Sequence, residues 1–300
     1  AVEQETQQQL ERELNISSAA ARMLVVRGIQ TADEARAFVR PSLDKLHDPF
    51  LMKDMDKAVE RLHQAITQGE KILIYGDYDV DGTTAVAVMF RFLSPLASCL
   101  DYYIPNRYTE GYGLSSLGID YAVAQGCGLI ITLDCGIKAV EKVAYAASKG
   151  IDVIVCDHHT PGDELPNAVA VLNMKRSDCP YPYKDLSGCG VGFKLAQAYT
   201  QRYGLPFENL VPLMQLLAMS IASDIVPITG ENRILAHFGI QQLNKAPFMG
   251  VSAIMQVASV KAKKLTISDL VYKIGPRINA CGRMKSGRAA VELLLTNDPI

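Results

Sequence analysis

The sequence predicts an α/β protein with a mostly parallel sheet flanked by helices. Between residues 56 and 172, short apolar runs typical of buried strands alternate with longer amphipathic or apolar runs typical of helices. This alternation favours parallel strands, right-handed crossovers and helices on both faces of the sheet. Apolar residues make up 49% of the 300 residues, enough for a substantial core.

The first 55 residues are predicted to be an N-terminal helical extension that carries no chemistry. The helix signals are a capping residue at Thr31 and a stop before Pro41. The predicted helices cover residues 4–14, 17–26 and 31–39.

Residues 56–258 are predicted to form the main domain. The predicted strands cover residues 71–75, 100–104, 129–133, 152–156 and 169–172. The predicted helices cover residues 56–68, 83–93, 115–125, 138–149, 190–203, 208–223, 231–244 and 251–257.

Residues 259–300 differ from the rest in charge and are predicted to be a basic helical connector. Between residues 261 and 288, eight basic residues stand against one acid, which leaves a local net charge of +7. The lysines are typical of a solvated helix face. The Gly/Pro/Asn-rich stretch 275–283 predicts a turn that presents Arg277 and Arg283 to an anion.

The composition indicates the general class of protein but says little about its function. The net charge of −2 neither supports nor excludes a polyanionic partner. The seven cysteines are scattered and contain no Cys-x-x-Cys pair, which predicts reduced thiols and a cytoplasmic protein. No apolar run approaches the ~20 residues of a membrane helix, and no signal peptide is recognised. Because the first residue is Ala, we expect a trimmed chain.

The chemistry begins with three acids directly after the first strand. Asp77, Asp79 and Asp81 occupy alternate positions, and Gly82 follows them. Such closely spaced acids repel one another, so a divalent cation among them is expected. An EF-hand loop is excluded, because its twelfth position would be Val88 and a strand precedes it. A solvated acidic turn without a ligand remains the alternative for this stretch alone.

Two further strands of the predicted sheet also end in acids. Asp134 follows the strand 129–133, and Asp157 follows the strand 152–156, continuing into His158 and His159. A single acid at such a place is often only a helix cap. Carboxyl ends of parallel strands share one edge of a sheet, so these acids and a metal-binding imidazole are expected to meet.

One more acid lies at the end of an apolar helix. Asp224 follows Ser220 to Ser223, where the helix dipole disfavours a negative charge. A metal ion would be a suitable partner for it.

These motifs resemble those of a known superfamily. Residues 77–82, 132–136, 157–159 and 222–224 are similar to the four ordered motifs of the DHH phosphoesterases. More specifically, three other stretches resemble the RecJ family of bacterial 5′-to-3′ single-strand-specific DNA exonucleases. They are residues 105–114, 188–192 and 275–283. RecJ proteins also carry a DHHA1-type domain and usually an OB-fold, so we expect this chain to be the catalytic core of a longer protein.

The resemblance implies two ions, Mn²⁺ or Mg²⁺, and assigns their ligands. Asp79 would bind one ion and Asp81 the other, and Asp134 would bridge both. His158 and Asp224 would complete the second site. Asp77 would be either a further ligand of the first ion or a hydrogen-bonded neighbour of the site.

The resemblance also implies catalytic and binding roles. Asp134 and His159 would be catalytic, with His159 donating a hydrogen bond to the phosphate. Asp157 would orient a ligand, because metal-bound imidazoles commonly need an acceptor. Arg107, Arg277 and Arg283 would contact DNA phosphates, and Tyr108 and Tyr112 would either stack on bases or pack in the core. The expected partners are single-stranded DNA, a single-strand-binding protein and a helicase, with no membrane.

Two alternatives remain. The first is a DHH phosphoesterase acting on oligoribonucleotides or small nucleotides; such relatives usually have a histidine where this chain has Tyr75. The second is a non-catalytic DHH scaffold that binds DNA. Scaffolds of that kind have lost ligands, whereas this chain retains the acids and both histidines.

Overall fold

The computed structural model describes residues 2–260, 264–284 and 287–298, without the side chains of Val2 and residues 282–284. Contacts divide the chain into two compact units, residues 1–46 and 47–300. The three-part division at residues 55 and 258 stays a prediction.

The first unit consists of short helices around a small core. Its helices are α1 (Val2–Leu14), α2 (Ser18–Val25) and α3 (Ala32–Val39), followed by a 3₁₀ turn, Leu43–Lys45. Thr31 and Glu34 form a reciprocal capping box at the start of α3, which confirms the predicted cap. The core residues are Leu10, Ala21, Leu24, Ile29 and Ala35.

The second unit is built on a five-stranded parallel sheet, which confirms the predicted fold class. The strands are β1 (Lys71–Gly76), β2 (Leu100–Tyr103), β3 (Cys127–Leu133), β4 (Asp152–Cys156) and β5 (Ala170–Leu172). Their order is β2-β1-β3-β4-β5, and all four pairings are parallel. The strands β1, β3 and β4 are therefore neighbours with their carboxyl ends at one edge.

Helices connect the strands and continue to the C-terminus. They are α4 (Met55–Gln68), α5 (Val80–Leu93), α6 (Ser116–Ala124), α7 (Val140–Ser148), α8 (Gly188–Arg202), α9 (Met214–Ser223), α10 (Gly230–Lys245), α11 (Met249–Val257), α12 (Ile267–Asp269), α13 (Gly275–Met284) and α14 (Gly287–Leu295). Short 3₁₀ turns cover Pro49–Leu51, Phe207–Asn209 and Val211–Leu213. Among the helices of the described ranges, none has the length and apolar character needed to cross a membrane.

The sheet is buried between two layers of helices. On one face, α6 and α7 pack against β3 and β4 and share a core with residues such as Leu73, Ile130 and Val155. On the other face, α4, α5 and α8 cover the alternate strand residues. Burial on both faces explains why the strands are continuously apolar rather than alternating.

One helix predicted as continuous is divided. The predicted helix 208–223 consists of two 3₁₀ turns followed by α9. Pro212 lies in the second turn, and because proline has no N–H to donate, a regular α-helix is unfavourable there.

The turn predicted at residues 275–283 is wrong, because this stretch forms α13. The helix follows a π-helical turn, Leu270–Ile274, and Pro276 occupies its second position, where a missing N–H is well tolerated. Gly275 is required for packing, since a Cβ there would lie 2.5 Å from Ser223 Oγ. Glycine and proline therefore mark close packing and a helix start here.

A buried ion pair joins α8 to α10 in this unit. Lys194 Nζ donates to Glu231 Oε1 at 2.9 Å and to the carbonyl of His47 at 2.8 Å, and neither charged side chain is exposed to solvent. Tyr181 Oη donates to the second oxygen of Glu231 at 2.6 Å. Burial lowers the pKa of Lys194, so its charge depends on the carboxylate.

We therefore expect Glu231→Ala to lower the free energy of unfolding by about 3–5 kcal/mol, because it leaves a buried charge uncompensated. Urea unfolding at pH 7 would measure this. The control is Asp56→Ala, which removes an exposed ion pair with Arg202 and should cost at most about 1 kcal/mol. Equal losses in the two variants would contradict a structural role for the buried pair.

Candidate metal centre

The predicted site residues gather at the carboxyl edge of the sheet. Asp77, Asp134 and Asp157 follow β1, β3 and β4 directly, and these three strands are adjacent. Asp79 and Asp81 lie at the start of α5. The C-terminal end of α9 supplies Asp224, and His158 and His159 continue from Asp157. Residues far apart in the chain therefore share one site because the sheet is parallel.

The ligand atoms at this edge form overlapping groups in which every atom lies within 4.8 Å of the others. The groups are Asp77, Asp79 and Asp134; Asp81, His158 and Asp224; and Asp134, His158 and His159. Asp134 and His158 each belong to two groups, so the geometry is that of adjoining sites rather than of one isolated site.

The first acids are held by the β1–α5 junction. Asp79 caps α5 by accepting from the amide of Gly82 at 3.0 Å, and Asp77 accepts from the amide of Tyr78 at 2.8 Å. A Cβ at Gly82 would lie 2.4 Å from the carbonyl oxygen of Asp77. Only glycine therefore allows the helix to begin this close to the end of the strand.

Asp81 is the most completely held of the acids. One carboxylate oxygen accepts from the amide of Gly188 at 2.7 Å, and the other accepts from the amide of Cys189 at 2.9 Å and from Ser220 Oγ at 2.6 Å. Ser187 Oγ lies 2.7 Å from Ser220 Oγ and accepts from an amide of α8. The start of α8 thus stabilises the buried negative charge and leaves Oδ2 a free lone pair.

Asp134 is buried, and its Oδ1 has no hydrogen-bond partner. Its φ of 60° is in the left-handed region, which is strained for a residue other than glycine. Burial and the charges of Asp81 and Asp79 raise the pKa of Asp134 well above its ordinary value. A Cβ at position 188 would meet Asp134 Oδ1 at 2.5 Å, so Gly188 leaves room for this carboxylate.

The ring of His158 is oriented so that one nitrogen is free. Its Nδ1 donates to the carbonyl of Leu186 at 3.1 Å, and burial lowers its pKa, so the neutral ring carries its lone pair on Nε2. That Nε2 has no hydrogen-bond partner. It lies 3.2 Å from Asp134, 3.6 Å from Asp224 and 3.8 Å from Asp81.

Asp157 contacts His159, not the imidazole of His158. Its Oδ1 lies 2.7 Å from His159 Nδ1, and its Oδ2 accepts from the amide of Ile137 at 2.9 Å. The hydrogen bond to Asp157 raises the pKa of His159. Although burial opposes it, the hydrogen bond from His159 lowers the pKa of Asp157. The acceptor that orients His158 is the Leu186 carbonyl, whereas Asp157 lies against the ring of His159. The predicted role of Asp157, to orient a ligand, stays a prediction.

The donor set fits a divalent cation. Asp77 Oδ2, Asp134 Oδ1 and His158 Nε2 are buried polar atoms without a partner. Burial and neighbouring carboxylates raise the pKa values of Asp77 and Asp224 to about 7. Within the described ranges, no lysine or arginine forms an ion pair with any acid of these groups. Carboxylate oxygens with one imidazole are ligands that suit Mn²⁺ or Mg²⁺.

The three arginines predicted to contact phosphates differ in their surroundings. The guanidinium of Arg107 lies 5.1 Å from the ring centre of Tyr78. Tyr78 itself stands between Asp77 and Asp79 in the sequence. Arg277 lies on α13, where it donates to the carbonyl of Lys273 at 2.6 Å and lines an apolar cavity of about 330 Å³. The side chain of Arg283 lies outside the described residues.

Both predicted stacking tyrosines are exposed rather than packed in the core. Tyr108 is 77% exposed and Tyr112 54% exposed. The hydroxyl of Tyr112 lies 3.1 Å from His159 Nε2 and donates to the carbonyl of Asp134 at 3.1 Å. The sequence analysis did not predict this contact, nor the roles of Ser187 and Ser220 in holding Asp81. Ser187 could have been recognised as a helix cap, since it precedes the glycine-rich start of a helix.

Residues 71–221 match the family model described as DHH family, N-terminal domain, which covers just over half of the chain. The single-stranded-DNA-specific exonuclease RecJ of Bacillus subtilis is 39% identical over 296 residues, covering 99% of this chain and 37% of that protein. The RecJ of Escherichia coli is 38% identical over 288 residues, covering 92% and 49%. The chain thus spans less than half the length of these relatives.

Solved structures show the same architecture. RecJ of Thermus thermophilus in complex with Mn²⁺ aligns with a TM-score of 0.81 at 28% identity, covering 98% of this chain and 41% of that one. A second exonuclease RecJ bound to manganese aligns with a TM-score of 0.76 at 30% identity, covering 86% and 63%. Taken with the matched family model and the parallel sheet, these similarities show that the chain belongs to the DHH family.

Proposed function

We propose that the chain is the catalytic core of a metal-dependent phosphodiesterase that hydrolyses single-stranded DNA from its 5′ end. The observation that carries the proposal is the set of adjoining ligand groups that share Asp134 and His158. The names of the curated relatives, single-stranded-DNA-specific exonucleases, supply the substrate class.

Two divalent ions are proposed, and the ligand groups divide between them. Asp77, Asp79 and Asp134 would hold one ion, while Asp81, His158 and Asp224 would hold the other. Similar proteins have been solved with Mn²⁺ and with Mg²⁺, which supports either metal. When bound, two such metal ions lower the pKa of a water molecule and offset the negative charge that develops on the phosphate.

His159 is the proposed hydrogen-bond donor to the phosphate. Asp157 lies against its Nδ1 and the hydrogen bond raises the pKa of the imidazole, so Nε2 can carry a proton as well. A donor fixed in this way stabilises charge on a non-bridging phosphate oxygen as the transition state forms. The hydroxyl of Tyr112 lies 3.1 Å from Nε2 and restricts the rotation of the His159 ring.

DNA is expected to approach over basic groups outside the acid cluster. Arg107 stands at the rim beside Tyr78, and we retain Arg277 and Arg283 as proposed phosphate contacts. Tyr108 and Tyr112 are exposed and suited to stacking on unpaired bases. A single-strand-binding protein and a helicase remain proposed partners.

Two further features agree with this proposal. Tyr75, which stands where oligoribonucleotide-directed relatives usually have a histidine, is buried, and its hydroxyl bonds the backbone of Gly113 and Ser115. Tyr75 therefore has a structural role, and we propose that the first ion is bound by carboxylates alone. All seven cysteines are free thiols, which supports the proposed cytoplasmic location.

Asp134→Asn should lower hydrolysis by at least about 10³-fold while DNA binding persists, because the variant loses a buried charge that belongs to two of the three ligand groups. The assay is release of label from a 5′-labelled single strand with Mn²⁺, with binding followed by gel shift. Asp120→Asn, an exposed acid on α6 that bonds Tyr145, is the control and should keep full activity. Unchanged turnover in Asp134→Asn would contradict the assignment.

The metal-free chain should become less stable as pH rises. Asp77 and Asp224 have folded pKa values of about 7, above those of unfolded chains, so the folded state binds more protons between about pH 4 and pH 7. This stabilisation is present at low pH and is lost as pH rises through 7.

We expect Mn²⁺ to raise the unfolding temperature more at pH 8 than at pH 5.5. The increase at pH 8 should be at least about 4 °C, since 1 kcal/mol corresponds to about 2–4 °C in a domain of this size. Thermal unfolding with EDTA or Mn²⁺ measures it, and Asp224→Asn should weaken the pH dependence. An Mn²⁺ effect that is absent, or equal at both pH values, would contradict a carboxylate site.

Ser220→Ala should weaken Mn²⁺ binding by about 10–100-fold, because Asp81 loses a hydrogen bond that fixes its free lone pair. Titration calorimetry measures the affinity. Ser223→Ala is the matched control: it lies on the same helix, and its hydroxyl has no hydrogen-bond partner among the described residues. Equal affinities in the two variants would mean that Ser220 does not position the ligand.

A further inference from the structure

Asn232, in the first turn of α10, joins two backbone segments that are far apart in the sequence. The residue is fully buried, and its Nδ2 donates to the carbonyl of Asp185 at 2.6 Å and to that of Pro227 at 3.0 Å. Two carbonyl acceptors require the NH₂ group of the amide to face them, which fixes its orientation. Its Oδ1 is buried without a partner among the described residues, and an unpaired acceptor is costly. The position therefore uses asparagine for its two donors.

Each of the two segments is connected to a ligand of the second proposed ion. The first segment leads into Leu186, whose carbonyl accepts from Nδ1 of His158 and so directs Nε2 toward the acids. The second segment is the loop between α9 and α10, in which Pro227 lies three residues after Asp224. The amide of Asn232 therefore links the backbone that orients one ligand to the backbone that follows another.

The loop after Asp224 is strained and needs external support. Ile225 has a φ of 58°, in the left-handed region, which is unfavourable for a β-branched residue. It is 83% exposed, so packing of its own side chain does not hold this conformation. Pro227 accepts a second hydrogen bond, from Tyr183 Oη at 3.1 Å. Such strain persists where neighbouring contacts fix the backbone, and the two hydrogen bonds to the Pro227 carbonyl do so here.

We propose that Asn232 is a positioning residue for the second metal ion, because its amide holds the loop after Asp224 against the segment that orients His158. This inference rests on the proposed function, in which those two side chains and Asp81 bind one ion. His158 Nε2 and the Asp224 carboxylate lie 3.6 Å apart. A small displacement of one segment relative to the other would change that distance, and metal affinity depends on such preorganisation.

We expect Asn232→Ala to weaken Mn²⁺ binding at the second site about tenfold and to leave the first site nearly unchanged, because both hydrogen bonds are lost. Titration with Mn²⁺ alone, followed by electron paramagnetic resonance of the free ion, gives the number and affinity of the bound ions. Asp224→Asn identifies the second site in the same titration, since it removes one of its ligands. Raising the Mn²⁺ concentration should restore turnover in Asn232→Ala.

Asn244→Ala is the matched control, because this residue forms the same kind of link on the same helix. Its Nδ2 donates to the carbonyls of Ile240 at 3.0 Å and Leu265 at 3.1 Å, in segments that carry none of the proposed ligands. Urea unfolding should show a loss of stability in both variants, whereas only Asn232→Ala should lose Mn²⁺ affinity. Equal Mn²⁺ affinities in the two variants would overturn the proposal, since Asn232 would then be merely structural.

Tyr183→Phe is a milder variant that decides the matter if Asn232→Ala does not fold. It removes one of the two hydrogen bonds to the Pro227 carbonyl and should weaken the second site about threefold. Second-site affinity equal to that of the unmodified chain would overturn the proposal.

The outcomes separate this inference from the proposed function. Hydrolysis of single strands combined with ion binding that is insensitive to Asn232→Ala would remove the positioning role and leave the function. Selective loss of the second ion in Asn232→Ala, without any hydrolysis of single strands by the longer, natural protein, would remove the function and leave the positioning role.

Discussion

Mutual repulsion of buried carboxylates is the constraint on which the rest of this structure depends. Asp77, Asp79, Asp81, Asp134 and Asp224 lie close together at one edge of the sheet, in a region largely screened from water. Without a cation, burial and neighbouring carboxylates raise the pKa values of four of them, Asp77, Asp79, Asp134 and Asp224. The fold therefore holds a site whose negative charge favours the binding of protons or of a cation.

In the part of the chain that the structure describes, backbone groups rather than lysine or arginine ion pairs hold these acids. Backbone amides at the starts of α5 and α8 donate hydrogen bonds to the carboxylates of Asp79 and Asp81, and a backbone carbonyl orients His158. Backbone donors and the Ser220 hydroxyl fix the oxygens without competing for the position of the cation. Glycines at 82 and 188 permit the close approach that this requires. The site is therefore preorganised on strand ends and helix starts.

The main features were predictable because the sequence pattern and the parallel topology act together. Apolar runs followed by Asp77, Asp134 and Asp157 specify strand ends, and parallel pairing brings those ends to one edge. What failed depended on tertiary contacts. The glycine and proline of residues 275–283 indicated a turn, yet Gly275 serves close packing against α9. The sequence also left open which of the two adjacent imidazoles Asp157 contacts, because that depends on local backbone geometry.

The most direct measurement is a crystal structure of the chain grown with Mn²⁺, with data collected to reveal anomalous scattering. The account predicts two manganese peaks, one among Asp77, Asp79 and Asp134 and one among Asp81, His158 and Asp224. A single peak, or manganese bound elsewhere with these side chains left without a cation, would contradict it.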